Sequence, residues 1–107
     1  MLPANKATMQ SLKMANDLMP GILAGTKRIT IRKGRRNIVP GPMLIESVDG
    51  RTKHTVQVIE VRHKLLKEVT KYEAEDDGFN SLLDMVDGMR EFYPDLTANS
   101  EVTLVLW

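Results

Sequence analysis

The spacing of apolar residues changes several times along the chain, and each change marks a new element. Between Asn16 and Gly25 the apolar residues Leu18, Met19, Ile22 and Leu23 recur at helical spacing, with Asn16 placed as N-cap and Gly25 as the stop. Pro20 falls near the first turn, where its missing N–H is tolerated. From Ile29 to Arg32 the period drops to two, so Ile29 and Ile31 face the core while Thr30 and Arg32 share the opposite face. Lys33 to Pro42 is a loop punctuated by glycine and proline. Strand character returns over Met43 to Val48, and Asp49-Gly50 turns the chain into a second strand over Thr55 to Arg62. In that strand Val56, Val58 and one of Ile59 or Val61 pack inward.

The second half is mostly helical. A helix over Leu65 to Val69 is followed by a Thr70-x-x-Glu73 capping box and a stop at Asp76-Asp77-Gly78. Another helix begins at Asn80 or Ser81 and runs through Leu82, Leu83, Met85, Val86, Met89 and Phe92 as one apolar face, ending at Tyr93-Pro94. Glu101 to Trp107 is apolar enough to lie inside a sheet rather than at its edge. Residues 1–10 carry no sustained period and are expected to form a flexible tail, with a short strand from Ser11 to Met14. Residues 11–107 then form a single α+β domain, either a small mixed β-barrel or a strongly curved sheet, flanked by short helices.

Composition narrows the classes. With 107 residues, 42% hydrophobic and 27% charged, the chain reads as one globular domain with a modest core. The absence of cysteine excludes disulfides, zinc thiolate sites and cysteine nucleophiles. His54 and His63 lack a ligand spacing and read as strand residues, so neither a metal nor a cofactor is expected. No window approaches the roughly 18 to 20 apolar residues of a membrane span, and no signal-peptide pattern opens the chain. A cytoplasmic protein without a membrane partner is the resulting expectation.

The net charge of +1 hides an asymmetry. Residues 1–71 carry fourteen basic and five acidic groups, whereas residues 72–107 carry one basic and nine acidic. Such a split suits a polyanionic partner, or mutual attraction of the two parts inside one fold. The basic half is concentrated in GTKRITIRKGRR, Gly25 to Arg36, which holds six of the fifteen cations and no acid.

Two constellations could carry chemistry. Thr30 and Arg32 share a strand face, and Lys27 can join them if Gly25-Thr26 ends the helix in a turn toward that side. A threonine hydroxyl becomes a useful nucleophile only when a neighbouring base takes its proton, and a desolvated lysine is one such base. The second constellation is YEAEDDGF, Tyr72 to Phe79, with four acids in five positions at a helix end, where negative charge is unfavourable. Its acids therefore read as partners for the basic run or as a carboxyl proton donor, since the spacing of a calcium-binding loop is absent.

The run ILAGTKRITIR, Ile22 to Arg32, resembles the hallmark of the ASCH domain, a PUA-like barrel family. Glu75 to Phe79 (EDDGF), a helix, Tyr93-Pro94 and the final apolar strand follow in the family's order, so the resemblance covers residues 12–107. Among small single-domain ASCH proteins the chain is similar to the bacterial N(4)-acetylcytidine amidohydrolases. That resemblance implies a nucleoside substrate, Lys27 as proton acceptor, Thr30 as nucleophile and Asp77 as proton donor, with Glu75 as the alternative acid. Arg32, Arg28, Phe79 and Tyr93 become the candidate substrate contacts. The competing expectation is a non-catalytic RNA-binding module using the Lys27 to Arg36 surface, with Lys33, Arg35 and Arg36 on phosphates.

Overall fold

The computed structural model describes residues 9–107, so the expected tail lies outside the described residues as far as residue 8. Gln10, just before β1, is bonded into the fold. The Gln10 side-chain amide donates to Val39 O (2.8 Å) and Pro42 O (3.1 Å), and its Oε1 accepts from the Val39 N–H (3.1 Å).

The elements are β1 (Ser11–Met14), α1 (Met19–Ala24), β2 (Ile29–Lys33), β3 (Gly41–Ser47), β4 (Lys53–Val58), β5 (Glu60–Leu65), α2 (Lys71–Asp76), α3 (Leu82–Phe92) and β6 (Glu101–Leu106). They form two three-stranded sheets, in the orders β1-β3-β4 and β2-β6-β5. No ladder among the described residues joins the two sheets into a closed barrel. β1 runs parallel to β3, and β3 and β4 form the expected antiparallel hairpin. Gly50 carries its turn at a φ of 75°, a conformation that costs glycine little. The apolar β6 is the central strand of the other sheet, as its sequence requires.

The single strand expected over Thr55 to Arg62 is two strands in two sheets. Ile59 is the joint: it is 67% exposed and its N–H donates to Leu106 O at 2.9 Å, which swings the chain from one sheet to the other. Inward positions change phase there, from Val56 and Val58 to Val61. A break inside a continuous β-prone run is visible only as that change of phase.

Two apolar clusters share β6 as a wall. Val102 and Leu104 face the cluster beneath α3, while Val105 faces the cluster that includes Met19, Met43 and Ile45. α3 presents a narrower stripe than its sequence suggested. Met85 and Met89 are buried one turn apart, but Leu82 and Leu83 are exposed and Phe92 is 78% exposed. An eleven-residue helix touching its sheet along one i, i+4 line leaves the rest of its apolar arc outside.

The helix expected at Leu65 is a short 3₁₀ turn, Leu66–Glu68. Its first N–H groups are drawn away by the segment leading into β6: Leu66 N–H donates to Ser100 O (2.8 Å) and Lys67 N–H to Ala98 O (3.0 Å). The capping box at Thr70 and Glu73 forms as expected and starts α2 (Glu73 N–H to Thr70 Oγ1, 3.1 Å; Thr70 N–H to Glu73 Oε1, 2.9 Å).

Buried Glu73 also receives Arg62 Nη1 (2.8 Å) and Lys64 Nζ (3.0 Å), which ties α2 to β5. Burial alone would raise this carboxyl, but the Thr70 N–H, Arg62 and Lys64 outweigh it and hold Glu73 below the ordinary glutamate value. A depressed folded-state value contributes stability above the unfolded value, lost as pH falls through the folded one. Unfolding measured from pH 7 downward should therefore show stability falling below about pH 4.3. Glu73→Gln should be less stable at neutral pH yet flatten that acid limb. An unchanged acid limb in the variant would remove Glu73 as its cause.

Among the described residues no helix is long and apolar enough to cross a membrane, and no group of three or more His, Cys, Asp or Glu side chains could hold a metal ion.

Candidate active site

The site is built on the free edge of β2. α1 stops at Gly25 with φ 80°, and the next two N–H groups, of Thr26 and Lys27, both return to Gly21 O (2.9 and 3.0 Å). This is the turn that Lys27 needed, and it delivers the side chain to β2. Trp107 N–H donates to Arg28 O at 2.9 Å, so by the alternation of an extended strand Ile29 O and Ile31 N–H point away from β6. Lys27 Nζ donates to Ile29 O at 2.9 Å, and the Ile31 N–H faces the Asp77 carboxyl. Lys27 and Asp77 also pair directly, with only 11% and 9% of their side chains exposed. The pair occupies the place of a neighbouring strand and closes an edge that would otherwise be open.

Asp77 reaches this position from the end of α2. Its N–H donates to Glu73 O at 3.1 Å, and Gly78, at φ 101°, reverses the chain. The turn brings the backbone itself near the site, with Asp77 O 3.4 Å from Lys27 Nζ, so a short aspartate suffices. Burial pushes the Asp77 carboxyl above its ordinary value, against the opposing pull of Lys27, the Ile31 N–H and Arg32. A raised acid has the opposite sign to Glu73: its contribution to stability is present at low pH and is lost as pH rises through its folded value.

Thr30 and Arg32 lie on the face opposite the two core isoleucines, as the alternation predicts. Thr30 is 4% exposed, and its Oγ1 accepts from Arg32 Nε at 3.0 Å. Arg32 Nη2 continues across to β1, donating to Lys13 O at 2.6 Å. Burial, aided by Arg36, lowers the Arg32 value; Tyr93 and Asp77 oppose that shift. Lys27 Nζ and Thr30 Oγ1 share no hydrogen bond; the ammonium is engaged by Ile29 and Asp77, and the hydroxyl by Arg32.

All four side chains line one cleft of about 580 Å³, together with Phe79 and Tyr93. A smaller recess of about 220 Å³ shares Asp17, Lys27 and Asp77 with it and adds Asp76. Glu75 and Arg28 do not line the cleft: both are exposed, and Arg28 Nε is turned back to Gly25 O (2.9 Å). Sequence reasoning missed Met14, Phe92 and Gly88, which also line it. Gly88 left a signal, because a glycine inside a helix costs stability unless something lies against it. Here a Cβ would stand 2.9 Å from Phe79 Cε1, so the glycine seats the Phe79 ring.

The cations of the following loop are used inside the fold. Lys33 pairs with Asp95 (2.9 Å) and Arg35 with Glu101 (3.2 Å), while Arg36 donates to Lys33 O (3.0 Å) and Tyr93 Oη (3.4 Å). Five of the eight ion pairs among the described residues join the basic part, residues 1–71, to the acidic part. The charge asymmetry of the sequence is therefore largely an internal complementarity.

Two three-stranded sheets carrying three short helices, with a cleft at the edge of β2, make a fold similar to that of a solved ASCH domain. The chain superimposes on the ASCH domain from Lactobacillus crispatus JV V101 with a TM-score of 0.70 and 16% identity, over 96% of this chain and 80% of that one. The hypothetical protein PH0355 is similar at a TM-score of 0.70 and 23% identity, over 92% of this chain and 96% of that one. Protein PF0455 from Pyrococcus furiosus matches at 0.61 and 20% identity, over 92% and 94%. Identities this low establish the shared fold. No protein-family model and no curated protein matches the sequence.

Proposed function

We propose that this chain is an ASCH-family amidohydrolase that removes the acetyl group from N(4)-acetylcytidine. The observation that carries the reading is the convergence of Lys27, Asp77, Thr30 and Arg32 on one cleft, with the acid lying against the amine. Fold alone does not select a reaction, so the argument rests on these four groups.

The chemistry follows from how the Lys27–Asp77 pair holds its proton. Burial raises the Asp77 carboxyl, and the reactive form of the pair is the tautomer in which Asp77 carries the shared proton and Lys27 acts as the base. Lys27 Nζ takes the Thr30 proton, Thr30 Oγ1 attacks the acetyl carbon, and the Arg32 guanidinium faces the developing oxyanion. Asp77 protonates the departing exocyclic nitrogen, which releases cytidine and leaves an acetyl ester on Thr30. Water then gives a proton to the Asp77 carboxylate and its oxygen to the ester carbon. Thr30 Oγ1 departs with a proton from Lys27, acetic acid leaves, and the pair returns to its starting form. Lys27 must swing from Ile29 O toward Thr30 for the first step, a tightening expected when a substrate fills the cleft.

The test is incubation of the purified chain with N(4)-acetylcytidine, followed by chromatography for cytidine. Time-dependent release of cytidine is expected, and its absence overturns the reading. Absence of cytidine together with RNA binding that weakens steeply with salt would favour the non-catalytic module instead.

A further inference from the structure

β1 is an edge strand, and its outer side forms one wall of the cleft. The orientation of its last peptide unit is set from the other side, where Met14 O accepts from Val48 N–H at 2.9 Å. A trans peptide directs its C=O and N–H oppositely, and no peptide among the described residues is cis. The Ala15 N–H therefore points away from β3, on the side of the cleft that Ala15 lines. It has no hydrogen-bond partner among the described residues. On the same edge Lys13 O holds Arg32 Nη2 at 2.6 Å, while Arg32 Nε reaches Thr30 Oγ1 at 3.0 Å. The Thr30 hydroxyl is thus bonded to the Arg32 guanidinium, the guanidinium to β1 two residues before Ala15, and all three residues line the cleft.

We propose that the Ala15 N–H is a substrate-recognition donor for the ring carbonyl oxygen of an N-acylated pyrimidine. This inference rests on the amidohydrolase reading for the identity of the substrate. The pairing edge of cytosine presents three groups in order: the exocyclic amide, a ring nitrogen that accepts hydrogen bonds, and a carbonyl oxygen that also accepts. With the amide at Thr30, the ring nitrogen meets Arg32 and the carbonyl oxygen meets Ala15. An acylated amine without that carbonyl leaves the N–H unpaired in a desolvated cleft, and such a mismatch is a strong source of discrimination.

Ala15 sits at φ −56° and ψ 141°, values that proline adopts without strain, so Ala15→Pro removes the donor with little change to the backbone. Ala15→Gly keeps the donor. The measurement is titration of the wild-type chain and both variants with cytidine, which carries the same ring edge and is not turned over. Ala15→Pro should bind cytidine about tenfold more weakly, the effect of one hydrogen bond. Ala15→Gly should stay within about threefold of wild type, and the proline variant should melt no lower than wild type. A second arm compares cytosine with 4-aminopyrimidine, which lacks the carbonyl: the wild type should prefer cytosine and Ala15→Pro should not discriminate. Unchanged cytidine binding in Ala15→Pro, equal weakening toward both pyrimidines, or no cytidine binding by the wild type overturns the inference. If the expected binding pattern appears while N(4)-acetylcytidine yields no cytidine, the inference stands and the hydrolase reading falls. Turnover with unchanged binding in Ala15→Pro gives the reverse.

Discussion

Thr30→Val should reduce cytidine release from N(4)-acetylcytidine by at least about a thousandfold while the protein stays folded. Valine has nearly the shape of threonine, so the strand and the Thr30–Val105 pairing are kept. What disappears is the hydroxyl, and with it the oxygen that attacks the acetyl carbon in the proposed mechanism. The stability cost is the loss of one acceptor for Arg32 Nε, about 1 kcal/mol. Thermal unfolding therefore separates the two effects: a fall of a few degrees beside a collapse in turnover is expected. A variant that keeps more than about a tenth of the activity would place the nucleophile elsewhere.

Lys27→Met and Asp77→Leu should each destabilise the fold by about 3–5 kcal/mol, because each leaves a buried charge without its partner. The double variant should recover most of that loss. It should not recover all of it, since Ile29 O on the open edge of β2 then lacks the donor it had. Activity should be absent in all three variants. This contrast distinguishes two readings of the same pair, as a seal for a strand edge and as a proton store for catalysis. Recovery of turnover with stability in the double variant would mean that the pair only braces the edge. Urea unfolding of the four proteins gives the coupling energy directly.

The sequence revealed the local features because each has a local cause. Period-two alternation placed Ile29 and Ile31 in the core and Thr30 and Arg32 on the opposite face, and the two isoleucines are buried in one core cluster while Thr30 and Arg32 bond to each other along the cleft. The glycine at position 25 announced the turn that Lys27 needs, and the capping box announced α2. What alternation could not report was partnership across the chain. Nothing near Ile59 in sequence says that the strand changes sheets there, because the acceptor for its N–H is Leu106. Phe92 shares its helical spacing with Met85 and Met89, yet lies outside because only a narrow stripe of α3 meets the sheet.

The candidate site was legible to a similar extent. Lys27, Thr30, Arg32 and Asp77 were singled out from residue type and motif position, and the fold brings them to one cleft. Their pairing was not legible, since sequence placed Lys27 toward Thr30 while the structure gives it Asp77 and gives Thr30 to Arg32. Glu75 and Asp77 stand two residues apart at a helix end, and only the Gly78 turn decides which carboxyl enters. The Ala15 N–H had no signature at all, because a backbone donor looks the same in every residue until its neighbours are known.

The most direct measurement is a search for the covalent intermediate. Wild-type chain mixed with N(4)-acetylcytidine, quenched in acid during turnover and mapped by peptide mass spectrometry, should carry one acetyl group on the peptide that contains Thr30. The same peptide from Thr30→Val should carry none. Cytidine release with no acetylated Thr30 peptide at any quench time, or with the acetyl group on another residue, would contradict the assignment of Thr30 as the nucleophile of this cleft.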